Sequence, residues 1–155
     1  NIGGDQSAGF AIYDAIKASK CKILFICYGS ASSMGSIIPQ AVFGKGLRVT
    51  HPNTEWLIHE GSCESSGTTK QFISNAEALK RNKNTMYEIY ATCCKKGSAF
   101  KGKKLEEIKS ILKRRLNVKE DWILDGQQAI EYGFADILFG KGQNNSIQNI
   151  LKRLQ

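Results

Sequence analysis

The sequence predicts a single α/β domain, and two patterns lead to that prediction. Residues 23–28 form an unbroken apolar and aromatic run, too short to span a membrane and typical of a parallel strand buried on both faces. Other short strand patterns alternate with amphipathic helices along the chain, as in an α/β sheet. With 155 residues, 41% of them hydrophobic, the chain can build one domain with its own core.

The first part of the chain is predicted to hold two helices and three strands around a turn of small residues. In the first of these helices, at 6–19, the apolar residues are spaced so that they lie on one face. The turn, residues 29–33, directly follows the buried strand. The predicted elements are a helix at 6–19, the strand at 23–28, a helix at 34–43, strands at 47–51 and 54–59, and a polar loop at 60–69.

The second part is dominated by two long helices, predicted at 71–94 and 103–116, which together form a helical arm. The first carries an apolar stripe that is expected to meet a partner surface or, alternatively, the second helix of the same chain: Phe72, Ala76, Leu79, Met86 and Tyr90. A short helix capped by Gly133 and a strand at 135–139 follow. The tail, 140–155, is expected to be frayed or a small amphipathic helix.

The composition indicates which cellular location and which classes of binding partner are expected. The net charge of +8 arises mainly between residues 80 and 119, where few aromatics are interleaved, so a solvated helix surface is expected and no nucleic-acid partner. The five cysteines lack metal-ligand spacing, which predicts reduced thiols and no metal site. Without an apolar run of membrane length or a signal pattern, a cytoplasmic protein with no membrane partner is predicted.

The serine turn is the stretch where chemistry is expected. A serine between a buried strand and a helix lies beside unpaired N–H groups that can stabilise an oxyanion. The same residues also suit a plain helix start with a serine N-cap. The turn lacks the G-x-S-x-G pattern, so these residues alone leave both interpretations open.

An ordered set of short motifs resembles the ClpP family of serine peptidases. The motifs span most of the chain, and their order makes the set specific although each is weak alone. They are Gly3-Gly4, Ala8-Gly9, Ala11-Ile12-Tyr13-Asp14, Gly29, Ala31, Ser33-Met34-Gly35, Gly44-Lys45-Gly46, Pro52-Asn53, Ile58-His59 and Glu131-Tyr132-Gly133. The resemblance implies a ClpP/crotonase-like spiral of ββα units over residues 1–139, with a helical handle at about 70–116.

The resemblance also assigns the site. It implies that Ser33 is the nucleophile, rather than Ser30 or Ser32, and that His59 is the general base, whereas His51 is expected to be a surface histidine. Asp121, twelve residues before Gly133, is implied as the acid, and Asp125 is its rival.

The implied oxyanion donors are the backbone N–H groups of Gly4 and Met34. Gly61 and Ser62 are implied to lie against the substrate. Such a set is chemically coherent, because a serine hydroxyl needs an imidazole base, a carboxylate to orient it and donors for the oxyanion.

Some features depart from the family pattern. Ile2 stands at a position that is often proline in the family, and Glu60-Gly61 replaces the usual Gln-Pro. The segment between His59 and Asp121 is longer than usual, and the chain starts at the oxyanion loop, so a fragment without the family's N-terminal portion is expected.

Three functions follow from these observations. The first is a self-compartmentalised serine endopeptidase without a cofactor of its own, in a heptameric or double-heptameric ring, cutting unfolded polypeptides delivered by an ATP-consuming AAA+ Clp unfoldase. The second is a crotonase-like acyl-CoA enzyme, which would not need a Ser-His-Asp set. The third is a non-catalytic ring subunit, which would be expected to have lost part of that set. The presence of all three residues counts against both.

Overall fold

A computed structural model describes residues 1–154 and shows a mixed α/β fold. Its helices and strands are α1 (Gln6–Ala18), β1 (Leu24–Cys27), β2 (Ser30–Ser32), α2 (Met34–Ile37), β3 (Leu47–Thr50), β4 (Glu55–His59), α3 (Thr69–Cys94), α4 (Leu105–Val118), β5 (Asp121–Leu124), α5 (Gly126–Tyr132), β6 (Ile137–Leu138) and α6 (Ile147–Leu151). The predicted α/β class is confirmed, and the handle corresponds to α3 and α4.

The strands form two small sheets. One has the order β1-β3-β6 and is parallel throughout. The other has the order β2-β4-β5, in which β2 and β4 are parallel while β4 and β5 are antiparallel. The second sheet matters for function, because it joins the serine turn, the end of β4 and the start of β5.

The first strand differs from its prediction. Leu24, Phe25 and Ile26 are only partly buried, and Tyr28 is 61% exposed. The reason is topological, since β1 is the edge strand of its sheet and, within residues 1–154, no strand pairs with its other flank. Its apolar run therefore indicated a strand correctly but overstated the burial.

The segment after β1 was predicted as a turn and one helix, but it contains more structure. Residues Ser30–Ser32 form β2 and pair with β4, a contact between distant segments that no local pattern signals. The helix then splits into α2 and a 3₁₀ segment, Ile38–Val42. Pro39 explains the split, because it has no N–H for the α-helical bond to Gly35.

The handle helix α3 is buried only along its last third. The residues with little exposure begin at Met86, and this part contacts α4 and the main core. Toward the start of α3, Phe72 is 58% exposed, Ile73 54% and Leu79 37%. The predicted stripe is thus divided, with Met86 and Tyr90 in the chain's own core and Phe72 and Leu79 facing solvent.

A buried ionic network ties the end of the first sheet together. Arg48 is fully buried and donates from Nε and Nη2 to the Asp136 carboxylate at 3.0 and 2.7 Å. Burial raises the pKa of Asp136, but the hydrogen bonds and charge of Arg48 outweigh it, so that this pKa lies below its usual value. Asp136 is therefore charged at neutral pH, as a buried pair requires.

The tail forms the short helix α6, and Ile150 is buried against Val49 and Ile137. Gln155, the end of the predicted tail, lies outside the described residues.

All five cysteines are free thiols, as predicted. Within residues 1–154, the helices are too short or too polar to cross a membrane.

Candidate active site

The serine turn holds Ser33 in an uncommon backbone conformation. Ser33 has φ 54° and ψ −126°, and it is the one non-glycine residue with positive φ in the described chain. Such a conformation is strained for an L-residue and persists only where its surroundings enforce it. The enforcing contacts include the hydrogen bond from the Ser33 N–H to the Leu57 carbonyl in β4, at 2.9 Å.

The Ser33 hydroxyl differs in its hydrogen bonding from the other hydroxyls of the serine turn. Ser33 occupies the N-cap position of α2, yet its hydroxyl caps nothing and forms no hydrogen bond with the described residues. Ser30 and Ser32 differ, since their hydroxyl oxygens lie 2.6 Å apart in a mutual hydrogen bond. The interpretation of Ser33 as a simple side-chain N-cap is therefore wrong for this structure.

Two glycines allow the N-terminal segment to pack closely on this turn. A Cβ on Gly3 would lie 2.6 Å from the Ser33 Cβ, and one on Gly35 would lie 2.4 Å from the Asn1 carbonyl oxygen. Asn1 in turn accepts a hydrogen bond from the Ser32 N–H at 2.9 Å. Side chains at either glycine would push this segment away from the serine.

The backbone N–H groups of Gly4 and Met34 are available as donors. Both residues line the same groove as Ser33, and neither N–H donates a hydrogen bond to any described residue. Met34 is the first residue of α2, where the N–H groups have no partner inside the helix. An oxyanion at Ser33 could therefore receive bonds from these groups without breaking others.

The histidine and the acid meet across two strands. His59 ends β4 and Asp121 begins β5, and they are direct partners in the antiparallel pairing. His59 Nδ1 lies 3.4 Å from Asp121 Oδ1, with the side chains 24% and 55% exposed. His59 Nε2 is buried and has no partner among the described residues, and it is not hydrogen-bonded to Ser33. That bond is often long or absent before substrate binds.

The rival residues have other roles in the structure. Asp125 is the N-cap of α5, and its Oδ1 accepts the Gln128 N–H at 2.7 Å. His51 is not a simple surface histidine, because its ring stacks between Tyr28 and Phe139 at centroid distances of 4.3 and 4.4 Å. Tyr28, His51 and Phe139 each directly follow a strand of the first sheet, which brings their rings together.

A groove of about 760 Å³ connects these groups. Ser33, Met34 and His59 line it, and so do Gly61 and Ser62, which the sequence assigned to substrate contact. Residues of α3 also line it: Asn75, Ala78, Leu79, Lys80, Asn82, Lys83 and Met86. The groove thus lies between the handle and the serine turn, and both apolar and polar side chains line it, as in sites that bind ligands.

Glu60 is a groove residue whose role the sequence did not reveal. Its carboxylate accepts a hydrogen bond from the Tyr87 hydroxyl and forms an ion pair with Lys83, both on α3. The sequence showed only that an acid replaces the usual glutamine after the histidine. No local pattern could identify partners more than twenty residues away.

A strained serine after a strand, free amides and a histidine line one groove, and that histidine is paired with an acid; this is the layout used by serine hydrolases. Comparison with known proteins is more specific. The family model described as Clp protease matches residues 1–141. The chain belongs to the Clp protease family, and the resemblance seen in the motifs is confirmed.

Similar curated proteins have the name ATP-dependent Clp protease proteolytic subunit. The one from Streptococcus sanguinis is 35% identical over 86% of this chain and 62% of its own length. Those from Bdellovibrio bacteriovorus and Deinococcus radiodurans are 32% and 29% identical, over 58% and 63% of their lengths. The chain therefore spans about three-fifths of the length of these relatives.

Proposed function

We propose that the chain is a serine endopeptidase, the proteolytic subunit of a Clp-type ATP-dependent protease. The observation that supports this most directly is the His59-Asp121 pair at the edge of the groove that holds the strained, unbonded Ser33. The relatives' shared name agrees with it. The substrates in this proposal are unfolded polypeptides, because an open groove beside a strand end accepts extended chain.

In the proposed mechanism, Ser33 Oγ attacks the peptide carbonyl carbon while His59 Nε2 takes the hydroxyl proton. Asp121 keeps the other ring nitrogen protonated and stabilises the imidazolium. The N–H groups of Gly4 and Met34 bind the oxyanion of the tetrahedral intermediate. His59 then protonates the leaving amine, and a water molecule, activated by the same histidine, hydrolyses the acyl ester at Ser33.

The proposal extends to the setting of the reaction. The chain needs no cofactor for hydrolysis, and ATP is consumed by a partner AAA+ Clp unfoldase that delivers the substrate in the cytoplasm. The family match and the complete Ser-His-Asp set favour this function over a crotonase-like acyl-CoA enzyme and over a non-catalytic ring subunit.

A fluorophosphonate probe tests the nucleophile. The probe reacts covalently with activated serines, so peptide mapping by mass spectrometry is expected to place the adduct on Ser33. Heat-unfolded protein is the control, because the activation depends on the folded site. An adduct on Ser30 or Ser32, or equal labelling of the unfolded chain, would contradict the proposal.

The exposed apolar side chains of α3 favour assembly into a ring. Phe72, Ile73 and Leu79 are large, exposed and close together on the handle, as expected for a surface that a second copy covers. Light scattering is expected to give a mass several times 17.1 kDa. Leu79→Glu should lower that mass, because it places a charge in the contact.

Asn84→Glu is the matched control, since it adds the same charge at an exposed polar position of the same helix. It is expected to leave the mass unchanged. Met86, part of the predicted stripe, is unsuitable for this test because it is 2% exposed and buried in the chain's own core. A monodisperse monomer at high concentration would rule out assembly of this chain.

A further inference from the structure

Glu60 connects the strand that carries His59 to the handle. It directly follows His59, the last residue of β4, and its carboxylate contacts Tyr87 and Lys83 of α3. Tyr87 is 1% exposed, and the Lys113 ammonium from α4 lies 5.4 Å from the centre of its ring. Both handle helices therefore contribute side chains near the Glu60 carboxylate: α3 contacts it directly, and α4 contacts the Tyr87 ring.

The two contacts of the Glu60 carboxylate, with Lys83 and with Tyr87, differ in strength. Lys83 is 42% exposed, and ion pairs that face solvent are weak because water screens them. The hydroxyl of Tyr87 belongs to a buried residue and donates to a charged acceptor, which makes the stronger kind of hydrogen bond. The Tyr87 bond is thus the main attachment, and Lys83 supports it.

The Glu60 carboxylate is ionised in this setting. Burial raises the pKa of Glu60, but the hydrogen bonds from Lys83 and Tyr87 and the nearby positive charges outweigh it, leaving the pKa below its usual value. Burial and the Glu60 charge raise the pKa of Tyr87, so the hydroxyl keeps its proton and remains a donor. Donor and acceptor are therefore in the right states at neutral pH.

His59 has few other restraints. Its Nδ1 has only the 3.4 Å contact with Asp121, whose side chain is 55% exposed, and its buried Nε2 has no partner in the described chain. The direction of the imidazole therefore depends strongly on where the end of β4 lies. Besides the pairing of β4 with β5, the contacts of the adjacent Glu60 with α3 restrain that end.

We propose that Glu60 is a positioning residue, which clamps the end of β4 to α3 through Tyr87 and so holds the His59 imidazole in the groove that Ser33 also lines. The catalytic part of this statement rests on the proposed peptidase function. The structural part, that the clamp determines the environment of the His59 ring, does not depend on activity. The position of the handle is thereby linked to the alignment of the catalytic base.

Imidazole NMR tests the structural part. The chain has two histidines, so its ring C–H spectrum should contain two sets of signals, which a His51→Gln variant assigns. Glu60→Ala and Tyr87→Phe are expected to shift or broaden the His59 signals and to leave those of His51 unchanged. Unchanged His59 signals in both variants would overturn the proposal.

The matched control is Glu64→Ala. Glu64 is an exposed acid in the same groove and has no partner among the described residues, so its loss changes the charge of the groove without touching the clamp. Its His59 signals are expected to match those of the wild type. Equal changes in Glu64→Ala and Glu60→Ala would assign the effect to groove charge and overturn the proposal.

Kinetics with a fluorogenic peptide test the catalytic part. Because small misplacements of a catalytic group are costly, kcat is expected to fall about tenfold in Glu60→Ala and Tyr87→Phe, with little change in KM. Tyr87→Phe removes no formally charged side chain, so its loss of kcat would not come from the removal of a charge. A rise in KM alone would indicate a substrate contact and contradict a positioning role.

A wild type that neither cleaves peptides nor reacts with fluorophosphonate would refute the peptidase function. The NMR result would still decide whether Glu60 clamps the end of β4.

Discussion

Replacing Ser33 with alanine is expected to abolish peptide hydrolysis. The change removes only the hydroxyl, which makes no hydrogen bond with the described chain, so the fold should be retained. Loss of the nucleophile in a serine peptidase lowers kcat by roughly a millionfold. A fluorogenic peptide assay beside a thermal melt followed by circular dichroism separates the loss of chemistry from unfolding.

Ser30→Ala is the control for this prediction. It also removes a hydroxyl from the serine turn, but one that is already bonded to Ser32. Its activity is expected to stay within a few-fold of the wild type. If Ser30→Ala removed activity and Ser33→Ala preserved it, Ser33 would not be the nucleophile.

Glycine at the same position provides a separate test of the strained turn. Ser33 has positive φ, where an L-residue is strained and glycine is not. Ser33→Gly should therefore be inactive but more stable than Ser33→Ala, by about 1 kcal/mol in free energy of unfolding. Such a result would show that the active serine is held at a cost to stability, as is common in enzyme sites.

Asp121→Asn is expected to lower kcat by about ten-thousandfold, the loss seen when an amide replaces the acid of a Ser-His-Asp triad. Asparagine keeps the shape of the side chain but favours the wrong tautomer of His59, and it does not stabilise the imidazolium. The pairing of β4 with β5 should persist, because it is made by the backbone. Steady-state kinetics with a short peptide would measure the effect.

Asp125→Asn is the matched control for the acid. Asp125 caps α5, and asparagine is an equally good N-cap, so this variant should fold normally and lose little activity. The two changes are chemically identical and lie four residues apart. A larger loss in Asp125→Asn than in Asp121→Asn would move the acid to Asp125.

The motifs predicted which residues form the candidate site, but not how the chain brings them together. Ser33, His59 and Asp121 were named from an ordered set of short patterns, and the structure places His59 and Asp121 opposite each other in the β4-β5 pairing. Their roles stay predictions until the variants are measured. The role of Asp125 as the N-cap of α5 was not predicted, because it depends on the residue at which α5 begins.

Local patterns by themselves determined the class of the fold, the positions of the helices and most of the strands, because amphipathic spacing and turn residues act over a few neighbours. Only the tertiary structure revealed β2, the partial burial of β1, the division of the α3 stripe and the contact of Glu60 with Tyr87. Each of these depends on which distant segment packs beside a residue. Strand pairing and burial are properties of the assembled chain, and no short stretch of sequence contains them.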